Sequence, residues 1–390
     1  MKNPFFSNAS LAERLYPVIL RFPKVLKESL ARGIAQYVRH RLINRGLPER
    51  LTIFVTDRCN LRCSHCFIST TKQRKNWEMG IPEYRLFFEK SRGVFSQALL
   101  TGGEPTLRDD LDEILLLASH AGAIPAITIF TNGILGGRLI KAVSRALTAT
   151  PLRLHFQLSI DGPASFHDAN RGVAGALDKT LETIKSLKDL KKAWVGRIGR
   201  VTLCTAISRT NLADLPSIIN KVRSLGALHA FTFVRSSETG VFNLKKNHLA
   251  SNFAPVGFRD FLTVEEMDRA LLILHQHLWC HKPNSLFYMN NRRILENIVK
   301  SLKKMKPQAA CFSGVADLIL LPNGDVARCE MLKSFANLKD YHWDLKSLIL
   351  SEAYQRHLKE TKGCWCIHDC AIGLGMIYDA NHLLRLFDHI

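Results

Sequence analysis

Between residues 50 and 235 the chain alternates short apolar, β-branched runs with helical patterns, and this alternation limits the fold more than any other feature. The runs are Leu51–Thr56, Gln97–Leu100, Ala126–Phe130, Leu154–Ile160, Arg200–Ile207 and Ala230–Val234. Apolar residues at helical spacing fill the intervals, at Tyr84–Lys90, Leu107–Ala118, Ile140–Leu147, Leu177–Leu190 and Leu215–Leu225. Parallel strands need a long crossover, and a helix supplies it while covering one face of the sheet. Six such strands make either an open doubly wound sheet or a partial barrel, and spacing alone does not separate the two. With 390 residues there is room for flanking regions, and an apolar fraction of 46% excludes a disordered chain.

The flanks differ in texture. Residues 9–45 carry Phe22, Leu26, Leu30, Ile34, Val38 and Leu42 at four-residue intervals, with Arg21, Lys24, Lys27, Arg32, Arg39 and Arg41 between them. This is a basic amphipathic helical pattern, broken early by Pro17 and Pro23. Its stripe is expected to pack on the main domain, and the sharper alternative is peripheral contact with a membrane or a partner. Residues 1–50 hold ten Lys/Arg against three Glu, a large share of the net charge of +20. That balance suits anionic partners without specifying one. No signal-peptide run precedes Glu13 and Arg14, and ten cysteines in 390 residues are too dilute for a disulfide scaffold, so a cytoplasmic protein with reduced thiols is expected. The longest stretch without Lys, Arg, Asp or Glu, Ile114–Gly137, contains His120, Gly122, Pro125, Asn132 and Gly133. It reads as a helix end, a turn and a strand, not as a membrane span. The expected organisation is a helical segment over 1–48, the α/β core over 49–240, a helical bridge over 241–305 and a cysteine-rich region over 306–390.

Directly after the first strand comes Cys59-Asn60-Leu61-Arg62-Cys63-Ser64-His65-Cys66. Three cysteines at C-x3-C-x2-C spacing can turn three thiolates toward one point from a single loop, and clustered thiolates select zinc or iron–sulfur. Structural zinc wants four closed ligands, and His65 reaches the fourth place only by folding back between its neighbours. A four-iron cluster on three thiolates keeps one iron open for a small molecule. Core packing gives no reason to put three cysteines among Asp57, Arg58, Asn60 and Arg62.

The strand, then Cys59-x3-Cys63-x2-Cys66, then Gly102-Gly103-Glu104-Pro105 after the second strand, resembles the radical SAM superfamily, with His65 as the ring before the third cysteine. The resemblance implies a partial barrel of six strands and helices, with motifs at the C-terminal strand ends, where barrel active sites lie. It implies a four-iron cluster whose open iron binds S-adenosylmethionine (SAM). One electron then splits the sulfonium, and a 5′-deoxyadenosyl radical takes hydrogen from the substrate. On this likeness Gly102 and Gly103 let the backbone approach SAM, and Glu104 accepts from its amino group. Asn132, in Thr131-Asn132-Gly133, ends the third strand at the same site. Ser159 and Asp161 contact the ribose, and Arg171 pairs with the SAM carboxylate through its bidentate fork. An electron donor such as a flavodoxin or ferredoxin, and a small-molecule or peptide substrate, are implied with it.

Five cysteines fall in the last eighty residues: Cys311, Cys329, Cys364, Cys366 and Cys370. Leu318–Arg328 reads as a β-hairpin turning at Asn323-Gly324, which brings Cys311 toward Cys329. The set suits a second metal site. Cys311, Gly324-x4-Cys329 and the late cysteine loop resemble the SPASM/twitch extension of radical SAM enzymes, which implies an auxiliary four-iron cluster. The family's C-x2-C-x5-C run is replaced here by Cys364-x-Cys366. The expected ligands are Cys311, Cys329 and Cys370, with Cys364 or Cys366 completing the set. Cys204 shares a strand face with Thr202 and Ala206 and is a candidate hydrogen donor to a substrate radical, although a lone cysteine is more often a small buried hydrophobe. Cys280, His275 and His277 read as structural. A different class, a non-enzymatic zinc- or nucleic-acid-binding protein, would leave Gly102–Pro105 and Ser159–Arg171 as coincidences, and no aromatic–basic stacking platform is visible.

Overall fold

A computed structural model describes residues 9–66, 78–235, 240–250 and 261–387. Residues 1–8 of the N-terminal segment and parts of the stretch 236–260 lie outside the described residues. Six parallel strands form the centre in chain order: β1 (Arg50–Phe54), β2 (Gln97–Thr101), β3 (Ala126–Thr131), β4 (Arg153–Ser159), β5 (Ile198–Ile207) and β6 (Leu228–Phe233). Each boundary falls within two residues of the sequence run. Alternation sets the faces. Along β4, Leu154, Phe156 and Leu158 are buried, while Arg153, His155, Gln157 and Ser159 point to the opposite, less covered face. The buried face joins Leu51, Ile53, Leu100, Ile127 and Ile129 under helices Ile81–Lys90, Leu111–His120, Gly136–Ala149 and Ala176–Ala193. Each fully buried Leu, Ile or Phe contributes about 1.5–3 kcal/mol, and a one-residue slip would turn all of them outward.

β6 carries Phe231 and Phe233 into a second core with helices Leu215–Ser224, Val264–His277 and Leu286–Lys304, so the helical bridge covers the far end of the sheet. Ile114–Gly137 divides into a helix, a turn and β3, and no described helix is long and apolar enough to cross a membrane.

The C-terminal region joins the core sheet. After β7 (Val241–Phe242) comes β8 (Asp317–Leu320), which pairs parallel with β1, Leu51 opposite Leu318 and Ile53 opposite Leu320. β9 (Asp325–Ala327) returns antiparallel through the Asn323-Gly324 turn, with Gly324 at φ +87°, and β10 (Ala336–Asn337) follows. The sheet therefore runs β10-β9-β8-β1-β2-β3-β4-β5-β6. An edge strand offers unpaired backbone groups, and the apolar run of β8 satisfies those of β1. β11 (Trp365–Cys366) pairs antiparallel with β7.

The N-terminal helices Ala9–Ile19 and Lys24–Arg45 keep Pro17 inside the first, and Pro23 caps the second. The second buries Ala31, Ala35, Val38 and Leu42. Leu30 and Ile34 are half-buried, and Leu26 is 48% exposed. The apolar partners of this second helix are the C-terminal helix Ala380–Phe387 with Met289, and Phe312, Ala316, Leu374 and Tyr378, while Arg45 Nη2 donates to Val94 O at 2.6 Å at the edge of the α/β core.

Candidate active site

The cysteine loop leaves β1 pressed against the segment that leaves β2. Gly103 N donates to Thr56 O at 2.8 Å and Glu104 N to Arg58 O at 2.8 Å. A Cβ at Gly102 (φ +148°) would lie 2.3 Å from Thr56 O, and one at Gly103 2.2 Å from Arg58 O. Both glycines are thus required by the protein's own backbone. Gly103→Ala is expected to destabilise by about 1–3 kcal/mol in urea unfolding, because backbone and not a flexible side chain must move.

Glu104 is fully buried. Its Oε1 accepts from Thr106 N, Thr106 Oγ1 and Thr131 Oγ1 at 3.1, 2.7 and 2.8 Å, and its Oε2 from Asn132 N at 2.7 Å. Burial pushes its pKa up against these donors. Oε2 holds a single donor from the described residues, which leaves room for another. The Asn132 amide donates to Asn60 Oδ1 at 2.8 Å and accepts from Ile134 N at 2.9 Å, so it ties the end of β3 to the cysteine loop.

Asp161 follows β4 and is also fully buried. Its Oδ2 accepts from Arg171 Nε at 2.7 Å and Asn170 Nδ2 at 3.0 Å, and lies 2.6 Å from Arg171 Nη2. Burial opposes its charge, but Arg171, His65 and His167 outweigh burial and hold the carboxyl below its usual range. The bidentate fork expected for the SAM carboxylate is therefore closed on Asp161. Arg171 Nη1 alone turns toward the cysteines, 3.5 Å from Cys63 Sγ. Asp161 Oδ1 is buried and has no hydrogen-bond partner among the described residues. Asn211 fixes the same corner by donating to Asp161 O at 3.0 Å. A carboxylate with a lowered pKa stabilises fully in and above the ordinary carboxylate range, and loses that contribution as pH falls through its own pKa. Asp161→Asn strands a buried Arg171 and is expected to cost about 3–5 kcal/mol at neutral pH. The deficit against wild type should narrow as pH falls, in urea unfolding across a pH series.

The cysteine loop is strapped to the end of helix Ala164–Arg171. Arg62 N donates to Arg171 O at 3.1 Å and Ser64 N to Asn170 O at 3.0 Å. Cys59, Cys63 and Cys66 are half-buried. Burial pushes the Cys59 thiol up to about 12, with Glu104, Cys63 and Cys66 adding negative charge. Such a thiol deprotonates when a metal takes it. His65 Nδ1 is 3.1 Å from Asn170 Nδ2 and 3.3 Å from its Oδ1, so the ring is engaged with Asn170. The donor set of three thiols, and the partnerless Asp161 Oδ1 beside it, fit a cluster with one open iron and a ligand bearing hydroxyl donors.

Ser159 and Cys204 are register partners on β4 and β5. Burial pushes the Cys204 thiol up to about 12, and its charged neighbours are Asp369, Asp161, Arg171 and Arg235. It sits between the Asp161–Arg171 pair and a second pair, in which Arg235 Nη1 is 3.1 Å from Asp369 Oδ1.

The second cysteine group lies beyond that pair. Cys311, Cys329, Cys364 and Cys366 line one cavity, beside Arg328 and Met331. Burial pushes Cys366 up to about 12, with Cys311 and Cys364 adding to it. Burial likewise raises Cys329 well above its ordinary range, with Cys366 and Cys311 contributing. Cys364 directly precedes β11 and Cys366 ends it, and both line this cavity. Neither member of the pair is set apart from the cavity. Cys370 is the one set apart. It opens helix Asp369–Ile377, and its thiol is raised by burial and by Asp369 and Glu330, with Arg50 and Arg235 opposing. Donor atoms of His368, Asp369 and Cys370 lie within 4.8 Å of one another, but two guanidiniums beside them disfavour a cation there. His368 Nδ1 is 3.5 Å from Cys329 Sγ, and its Nε2 is 2.9 Å from Glu330 Oε1, which also accepts from Arg235 Nη2 at 2.7 Å. The fit of four thiols around one cavity suits a closed four-thiolate cluster.

Residues 53–220 match the sequence model of the radical SAM superfamily. The chain carries a radical SAM domain. The first cysteine loop, Gly102–Glu104, Asn132, Ser159, Asp161 and Arg171 all fall inside the matched span, and the second cysteine group falls outside it. The AdoMet-dependent heme synthase of Methanosarcina barkeri is 30% identical over 191 residues, 48% of this chain and 51% of that protein. The PqqA peptide cyclase of Rhodopseudomonas palustris is 29% identical over 184 residues, 47% of this chain and 45% of that one. The chain thus spans about half the length of these curated relatives. The crystal structure of Streptococcus suis SuiB bound to S-adenosylmethionine superposes with a TM-score of 0.54 at 13% identity, over 80% of this chain and 68% of that one, and shares the fold.

Proposed function

We propose that the protein is a cytoplasmic radical SAM enzyme that cleaves SAM reductively to a 5′-deoxyadenosyl radical and takes a hydrogen atom from a peptide or small-molecule substrate. The observation that carries this reading is the group of three half-buried thiols after β1, joined through Arg171 to a buried carboxylate, Asp161, whose Oδ1 has no partner among the described residues. Cys59, Cys63 and Cys66 would hold a four-iron cluster, and because His65 is engaged with Asn170, one iron stays open. When bound, that cluster supplies one electron to the SAM sulfonium. Glu104 Oε2 accepts from the SAM amino group, while Asn132 steadies the loop that presents it. Ser159 and the Oδ1 of Asp161 accept from the ribose hydroxyls, and Arg171 Nη1 meets the carboxylate. Gly102 and Gly103 keep this floor flat by letting the two strand ends touch.

In the same reading the region from 306 onward is a SPASM/twitch-like unit. Cys311, Cys329, Cys364 and Cys366 hold one auxiliary four-iron cluster, and Cys370 stays outside it. His368, Glu330 and Arg235 lead from Cys329 to the gap between the two sites and orient its ligand. The Cys204 thiol, kept protonated by burial, faces that gap as a hydrogen donor to a substrate radical. The proposed units are 1–48, 49–240, 241–305 and 306–390, with the last lending β8 to the core sheet. An electron donor of the flavodoxin or ferredoxin class completes the reaction, and residues 9–45 offer the contact surface with a membrane. A peptide substrate draws support from the likeness to a peptide cyclase.

Metal analysis of anaerobically purified, reconstituted protein tests the reading. It predicts a brown protein with about eight irons per chain and matching sulfide. A colourless protein loaded with zinc at both sites would assign it to the metal-binding class instead.

A further inference from the structure

The two N-terminal helices meet in a short turn. Arg21 N donates to Val18 O at 3.1 Å, Phe22 N to Ile19 O at 3.0 Å and Leu26 N to Pro23 O at 3.0 Å. On either side of this corner stand Leu15, Val18, Val25 and Leu26, exposed by 46%, 50%, 78% and 48%. A third of the large apolar side chains exposed among the described residues fall within these twelve positions. Scattered exposed apolar residues need no account, but a group does. The helices cannot roll to hide them. Tyr16, Ala31 and Ala35 are buried on the inner side, and Tyr16 Oη donates to Leu386 O. Leu15 and Val18, three apart, share a helical face that this anchoring turns outward.

The charges around the tips have one sign. Arg14, Arg21, Lys24 and Lys27 accompany them, and no acid occurs from residue 14 to residue 27. The flanking acids are engaged elsewhere. Glu13 accepts from Ser285 Oγ at 2.7 Å and Phe287 N at 3.1 Å, and Glu28 pairs with Arg32 at 3.4 Å. Apolar tips want hydrocarbon, and the ring of cations wants phosphate. A bilayer of anionic lipid offers both at the depth of one side chain. A second copy of the same corner would set four cations against four. We propose that the corner Leu15–Lys27 docks the protein on an anionic membrane surface, independently of its SAM chemistry.

Sedimentation of the full chain with vesicles tests this. Pelleting is expected with vesicles that contain phosphatidylglycerol and not with phosphatidylcholine alone, and it should fall as salt rises. Arg21→Gln/Lys24→Gln should weaken vesicle binding roughly thirtyfold, at two surface charges removed. Val25→Glu/Leu26→Glu should abolish it while thermal unfolding matches wild type, since both positions are exposed. Equal pelleting with both vesicle types, no pelleting, or unchanged binding by either variant overturns the proposal. So does a dimer in solution that Val25→Glu/Leu26→Glu disperses, which would give the corner to a second copy.

Discussion

Replacing Cys59, Cys63 and Cys66 together with Ala is expected to abolish reductive cleavage of SAM, while about four irons per chain remain at the second site. The loop that carries these thiols is held from both sides by groups the substitution spares. Gly103 and Glu104 bond to residues 56–58, and Asn170 and Arg171 bond to residues 62–64. The fold around the site should therefore survive, which separates loss of chemistry from loss of structure. The effect on rate should be total because these three thiols would hold the cluster that supplies the electron, and no other described thiol lies in the loop. Retained cleavage in the triple variant would remove the assignment. Loss of all iron would show that the two sites do not load independently.

The second large effect concerns the C-terminal thiols. In the triple-variant background, Cys311→Ala, Cys329→Ala, Cys364→Ala and Cys366→Ala should each lower iron content or change the electron paramagnetic resonance of the remaining cluster. Cys370→Ala should leave both as they are. The ground is geometric. Four thiols line one cavity, while Cys370 faces Asp369, Glu330, Arg50 and Arg235. A spectrum altered by Cys370→Ala and indifferent to Cys364→Ala or to Cys366→Ala would restore the set that the resemblance implies, Cys311, Cys329 and Cys370 with one of that pair. Near twelve irons in wild type would require a second auxiliary cluster.

Much of this was legible because hydrophobic period and strand ends are local properties. The six core strands follow from runs such as Ala126–Phe130, and the motif residues follow from their position after those runs. What the sequence hid is non-local. Nothing in Leu318–Leu321 says that it will lie beside β1, some 260 residues earlier, because backbone pairing has no side-chain signature. That Cys364 and Cys366 both line the cavity with Cys311 and Cys329 depends on how β11 pairs with β7, which spacing does not give. Asn60, Asn170 and Asn211 tie the cysteine loop, Asp161 and the strand ends together, yet only a hydrogen-bond map singles them out. Asn170 had a faint signal, inside the stretch His167–Arg171. The apolar stripe of residues 22–42 holds at Val38 and Leu42, which are buried, but the inward face also takes Ala31 and Ala35 and leaves Leu26 exposed.

The most direct measurement is release of 5′-deoxyadenosine. Anaerobically reconstituted protein is incubated with SAM and dithionite, and the product is quantified by chromatography against the Cys59/Cys63/Cys66 triple variant. The account predicts 5′-deoxyadenosine from wild type and none from the variant. No 5′-deoxyadenosine from a wild-type protein with its full iron and sulfide would contradict it.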